Sequence, residues 1–194
     1  MLAAVVTIKL GGSWMAWHER CGYAIITLMI FRILWGLWGS QTARFSDFVR
    51  SPLAVLRYLK GQASTTPGHN PLGALSVLAM IAVVLLQGLT GLIIDDEIAT
   101  RGPLADKVPN AWVSMATTLH RINEKVIYLL VFMHLGAIVY HRKKGHRLLP
   151  AMWHGRASSS HPQPRIASVW LATLTLLVAA VAVYVLVVVY ATRQ

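Results

Sequence analysis

The chain has 194 residues, 56% of them hydrophobic and only 13% charged, with a mean hydropathy of +0.56. That composition excludes a soluble domain and fits one helical bundle in a membrane. The single cysteine, Cys21, excludes an internal disulfide and a CxxCH motif. The formal charge of +11 does not point to nucleic acid, because the basic residues cluster between apolar stretches.

In chain order, the opening "MLAAVVTIKLGGSW" is too short to span. It lacks the basic start and small-residue cleavage site of a signal peptide. It reads as the outer end of a helix whose beginning is absent. "WHERCG" leads into the first span, apolar from Tyr23 to Trp38. "SPLAVLRYLKG" predicts a short amphipathic helix on the membrane surface. "NP" at Asn70 and Pro71 predicts an N-cap and first helical residue, opening a span to Ile94. A further helix starts near Asn110, an expected N-cap, and runs through "LHRINEKVIYLLVFMHLGAIVY" to Tyr140. "SSSHPQP" predicts a short linker, and residues 166–190 form a last span. The expected fold class is therefore all-α, a transmembrane helical bundle. Residues 1–155 form the main domain with an incomplete first helix, 156–165 the linker and 166–194 an additional transmembrane helix.

Loop charges orient the bundle. Residues 40–69 carry Arg44, Arg50, Arg57 and Lys60 against Asp47, and residues 141–165 carry six basic residues and no acid. Residues 95–112 hold Asp95, Asp96, Glu97 and Asp106 against Arg101 and Lys107. The positive-inside rule places the basic segments in the cytoplasm and the acidic one outside. Trp14, Trp17 and Trp112 then mark the outer interface, and Trp35, Trp38 and Trp153 the inner one.

His120 and His134 are 14 residues apart. At roughly 100° per residue they leave the helix on nearly one face, about 21 Å apart along its axis. That is one imidazole near each side of a hydrocarbon core about 30 Å thick. Taken alone, the pair fits metal ligation and interhelical hydrogen bonding equally well. His18 opens its helix near the outer face, at the level of His120. Two histidines from parallel helices at one depth can clamp one iron from both sides. Arg32, 14 residues after His18, shares the His18 face and the His134 depth. It suits the acidic edge of an inner cofactor or snorkels to headgroups. Two imidazole levels without attachment cysteines suggest bis-histidine b haems, since neutral imidazole suits iron and zinc more often recruits cysteine or carboxylate. Such a filled centre moves electrons and binds no oxygen.

"WHERCGYAIITLMIFRILWGLWGS", "ARFSDFVRSPLAVLRYL", "GHNPLG", "LLQGLTGLI" and "LHRINEKVIYLLVFMHLGAIVYH" resemble the bacterial cytochrome b561 / Ni,Fe-hydrogenase-type di-haem cytochrome b family, over about residues 14–155. The resemblance implies a four-helix core in the bacterial inner membrane with two b haems. It implies electron relay between a quinone pool and a partner such as a c-type cytochrome or a hydrogenase. By it, His18 and His120 hold the outer haem and His134 one side of the inner haem. The family's first-helix histidine, in an Arg-x-x-His-Trp context, has no counterpart upstream of His18. Arg121 and Lys125 are expected near the outer haem's propionates. His69 and His141 are weaker ligand candidates, placed at a helix start and in a basic anchor. His146, His154 and His161 read as surface residues and Cys21 as packing. The rival readings are a haem-free anchor or assembly subunit and a histidine-lined metal-ion carrier.

Overall fold

A computed structural model describes residues 1–61, 71–97, 100–143 and 165–191, apart from the His141 side chain. Leu2–Leu10 forms α1, Met15–Trp38 α2, Phe45–Phe48 α3, Pro52–Leu59 α4, Pro71–Gly91 α5, Asn110–Lys143 α6 and Val169–Tyr184 α7. The last continues as a π-helical turn over Val185–Tyr190. Among the described residues the β structure is one antiparallel bridge, Asp95 to Arg101. Gly12–Trp38, Pro71–Gly91, Asn110–Tyr140 and Val169–Tyr190 are long and apolar enough to cross a membrane. The protein is an all-α, multi-pass membrane bundle. Phe132, Val169 and Trp170 are 75%, 79% and 84% exposed, an apolar surface that suits lipid.

Several elements begin and end where local chemistry dictates. The first spanning helix starts at Met15, eight residues before the continuous apolar run, because "MAWHERCG" contains no breaker beyond one glycine. Before it, Gly11 and Gly12 both adopt positive φ, 63° and 54°, a conformation that favours glycine. They turn the chain so that α1 folds back on α2. With nine residues, α1 is about 14 Å long and does not span. Ser51 caps α4 by accepting from the Ala54 N–H. Leu53, Leu56 and Leu59 are exposed at three-residue intervals along it, the stripe an in-plane surface helix presents.

Pro71 opens α5 as expected, while Asn70 lies outside the described residues. The helix stops at Gly91, three residues short of the apolar run. Leu92 to Ile94 instead pair with the returning loop: Gly102 N–H donates to Ile94 at 2.8 Å and Leu104 N–H to Leu92 at 2.9 Å. Gly102 is required there because a side chain would strike the Leu92 carbonyl. Asn110 is the first residue of α6, and the preceding Pro109 carbonyl accepts from Trp112 and Val113.

At the centre, α2 packs against α1, α5 and α7, and α5 packs against α6. Close approach of α2 and α5 depends on Gly88, where a Cβ would lie 2.5 Å from Ile26 Cγ1. Ile26, Leu92 and Val183 form the buried core, flanked by Tyr23, Ile30 and Leu186. The α5–α6 seam is polar at Asn123, which is 5% exposed. Its Nδ2 donates to the Val83 carbonyl at 2.9 Å and to Gln87 Oε1 at 2.8 Å.

At the other end, Phe45 seats in the space left by Gly36. The C-terminal helix is tied to α2 by Trp38 Nε1 donating to Thr175 Oγ1 at 3.1 Å. Ala167 N–H donates to Ser40 Oγ at 3.1 Å, and Gln41 N–H to the Arg165 carbonyl at 2.9 Å. The expected linker falls, except for Arg165, outside the described residues.

Gly36→Val should overpack the Phe45 seat and cost about 1–3 kcal/mol, seen as a lower midpoint of thermal unfolding in detergent. Asn123→Leu removes two interhelical bonds and should cost on the order of 1 kcal/mol. An unchanged midpoint in either variant contradicts the packing described.

Candidate functional site

Sequence position alone puts His18 one turn into α2 and His120 about a third of the way along α6. The packing brings them together: their ring centroids are 6.5 Å apart and their planes cross at 78°. They look into a cavity of about 430 Å³ enclosed by α1, α2, α5, α6 and the acidic loop. That volume lies within the range of small-molecule and cofactor sites. Gly22, on the α2 wall, has nothing within 4 Å of where a Cβ would stand, and Gly88 and Gly91 line the α5 wall.

Each ring is held by its Nδ1. His18 Nδ1 lies 2.9 Å from the Ala4 carbonyl of α1. A carbonyl only accepts, so the proton is on Nδ1. His120 Nδ1 lies 3.1 Å from Thr90 Oγ1 of α5. The Thr90 hydroxyl hydrogen is directed at the Leu86 carbonyl, 2.7 Å away, so its oxygen accepts from His120. Both rings are thereby set as the Nδ1–H tautomer, with the lone pair left on Nε2. This is how metal-bound histidines are oriented by an outer acceptor.

A metal at the usual ~2 Å from an imidazole nitrogen is about 3 Å from the ring centre, so two rings clasping one ion stand roughly 6 Å apart. The observed 6.5 Å fits that span. Among the described residues no group of three or more His, Cys, Asp or Glu gathers to hold an ion. Two imidazoles are the donor set that a b-type haem iron would take from the protein.

Charged groups ring the cavity: Glu19 from α2, Asp96 from the loop, and Arg121 and Glu124 from α6. Glu124 pairs with Lys9 of α1 at 3.7 Å and accepts from the Tyr128 hydroxyl. The short α1 is thus fastened to α2 through His18 and to α6 through Glu124, closing one wall. The acidic loop over this end of the cavity is braced by Arg101, which contacts Asp95 at 3.5 Å and Asp106 at 3.0 Å. Asp95 N–H also donates to Thr117 Oγ1 at 3.1 Å.

Other anticipated residues lie elsewhere. Arg121 lines the cavity and Lys125 does not. His134 is half-buried on α6, about 21 Å along the axis from His120. Arg32 donates from Nη1 to the Ala43 carbonyl at 3.1 Å. Its guanidinium lies 5.3 Å and 5.8 Å from the Phe45 and Phe48 ring centres. The buried end of that arginine is thus occupied by the loop after α2. Cys21 is a half-buried free thiol. His69, His146, His154 and His161 lie outside the described residues, as does the side chain of His141.

Thr90, Gly91, Gln87 and the Ala4 carbonyl were not singled out by sequence reasoning. A usable signal was present for three of them. "QGLTG" interrupts an otherwise apolar span with two polar residues and two glycines, a cluster lipid does not favour and a packed seam does.

No curated protein and no solved structure matches the chain. The family model described as prokaryotic cytochrome b561 matches residues 2–155. The match takes in α1 to α6, the cavity and both imidazoles, and stops before α7. The chain belongs to the prokaryotic cytochrome b561 family, membrane electron-transfer proteins that bind haem b.

Proposed function

We propose that the chain relays electrons between a quinone pool and a redox partner, a c-type cytochrome or a hydrogenase-like protein, through haem b ligated by His18 and His120. The observation that carries this reading is the pair of cavity-lining imidazoles, each engaged at Nδ1, whose ring spacing suits one metal between them. Bound haem supplies reversible one-electron iron chemistry. The chain's own residues do the rest. His18 and His120 would both ligate the iron, which would favour electron transfer over oxygen binding. Gly22, with nothing within 4 Å of where a Cβ would stand, leaves room for a flat ring. Ile26 and Leu92 wall the cavity from the core. Arg121 on the cavity lining is suited to the carboxylates of the group it encloses.

His134 supplies an imidazole at a second depth, for one side of an inner haem. Arg32 gives one N–H to Ala43 and retains others of its five donors, enough to meet an acidic cofactor edge at that level. The domain reading follows the same division: residues 1–155 carry the cytochrome, and 166–194 add a helix. A haem-free anchor would use the histidines as interhelical glue, as Ala4 and Thr90 allow. It leaves the two free Nε2 lone pairs beside one cavity without a purpose.

Purified from haem-replete cells, the protein should be red and show a reduced b-type absorption band. His18→Ala and His120→Ala should each abolish the outer centre while the protein still accumulates. A colourless wild-type protein contradicts the reading. The 78° ring crossing carries a second expectation. Nearly perpendicular imidazole planes bring two iron d orbitals close in energy, so the ferric centre should give a strongly anisotropic low-spin electron paramagnetic resonance signal. A rhombic signal typical of parallel rings contradicts this geometry.

A further inference from the structure

We infer that Thr90 and Gly91, at the end of α5, are positioning residues for His120 that set how strongly its Nε2 donates electrons and how the ring is rotated. The inference rests on the reading that His18 and His120 clasp a b haem. Thr90 is 6% exposed, so its hydroxyl must be satisfied within the protein. Its hydrogen is committed to the Leu86 carbonyl at 2.7 Å, with Gln87 the next acceptor at 3.1 Å. Its oxygen accepts from His120 Nδ1 at 3.1 Å.

The opposite ligand is treated differently. His18 gives its proton to the Ala4 carbonyl at 2.9 Å, an oxygen that also accepts from Thr7 Oγ1 at 3.1 Å. The two imidazoles therefore differ in the outer contact that governs ligand basicity. The His120 Nδ1 contact is made by a side chain, and the Gln87 backbone is a further partner of that ring. Gly91 completes the cradle. A Cβ there would stand 3.1 Å from His120 Cε1 and 3.6 Å from Nδ1, so the ring lies against bare α5 backbone. Thr90 ties one corner of the ring and Gly91 admits its edge. Together they hold it at 78° to the His18 plane.

The two residues act through different physics. An acceptor on Nδ1–H pushes electron density to Nε2 and favours ferric over ferrous iron, so losing it raises the reduction potential. A side chain at position 91 turns the ring without removing the acceptor.

The test uses the full chain in detergent, with haem content measured as the pyridine haemochrome. Thr90→Val should raise the midpoint potential of the outer centre at unchanged haem content, and Thr90→Ser should restore the wild-type value. Gly91→Ala should alter the anisotropy of the ferric resonance signal more than it alters the potential. Wild-type potential in Thr90→Val, or equal shifts in the Val and Ser variants, would overturn the assignment of Thr90. A wild-type signal in Gly91→Ala would overturn that of Gly91. If Thr90→Val does not accumulate, Thr90→Ala replaces it, and equal potentials in the Ala and Ser variants overturn the proposal. Absence of haem from the wild-type protein would instead defeat the ligation reading on which the proposal rests.

Discussion

Two hydrogen bonds govern this molecule: each cavity-facing imidazole surrenders its Nδ1 proton to a neighbouring helix. The acceptor for the α2 histidine is a backbone carbonyl of α1, and the acceptor for the α6 histidine is a hydroxyl of α5. Each bond is modest, of the order of 1 kcal/mol in a membrane interior. Their consequence is geometric. They set the tautomer and leave the Nε2 lone pair free on two rings that line one cavity. Sliding α1 along α2, or α5 along α6, would remove an acceptor and release the ring.

The α5 helix carries most of this burden. Its span is apolar over its first four turns and then changes character at Gln87, Gly88, Thr90 and Gly91. The glycines admit Ile26 from one side and the His120 ring from another. Thr90 orients that ring, and Gln87 receives Asn123. Polar groups at membrane depth persist only where other protein groups satisfy them. Here every one of them is turned to a neighbouring helix. The site's precision is thus inseparable from the packing of the α5–α6 seam.

The last helix belongs to the same economy of contacts although the family match ends before it. It runs back along α2, anchored at one end by Trp38 and Thr175. At the other, Val183 enters the core with Ile26 and Leu92. Those two residues also wall the cavity. The added helix therefore backs the site from behind. It keeps lipid from the outer side of the α2 wall and contributes no polar group to the cavity.

Much of the architecture was readable in the chain, because bilayer thickness imposes span length. All four spans and the short α4 helix follow from such local rules. Helix ends were less legible. The α5 run stops at Gly91 because the returning loop offers hydrogen bonds to Leu92 and Ile94, a long-range choice that no window of apolar residues contains. Arg32 shows the same limit. Its rarity in a span marked it for a role, but the Ala43 carbonyl and two phenyl rings that engage it meet it only after the chain turns. By itself, then, the sequence determined the number of spans, their approximate length and the spacing of the two imidazoles along α6, since these depend on rise per residue and hydrophobic run. Tertiary structure alone decided which nitrogen of each ring is free, how the planes cross and where the cavity opens. Those depend on acceptors and glycines supplied by other helices, at distances that only packing establishes.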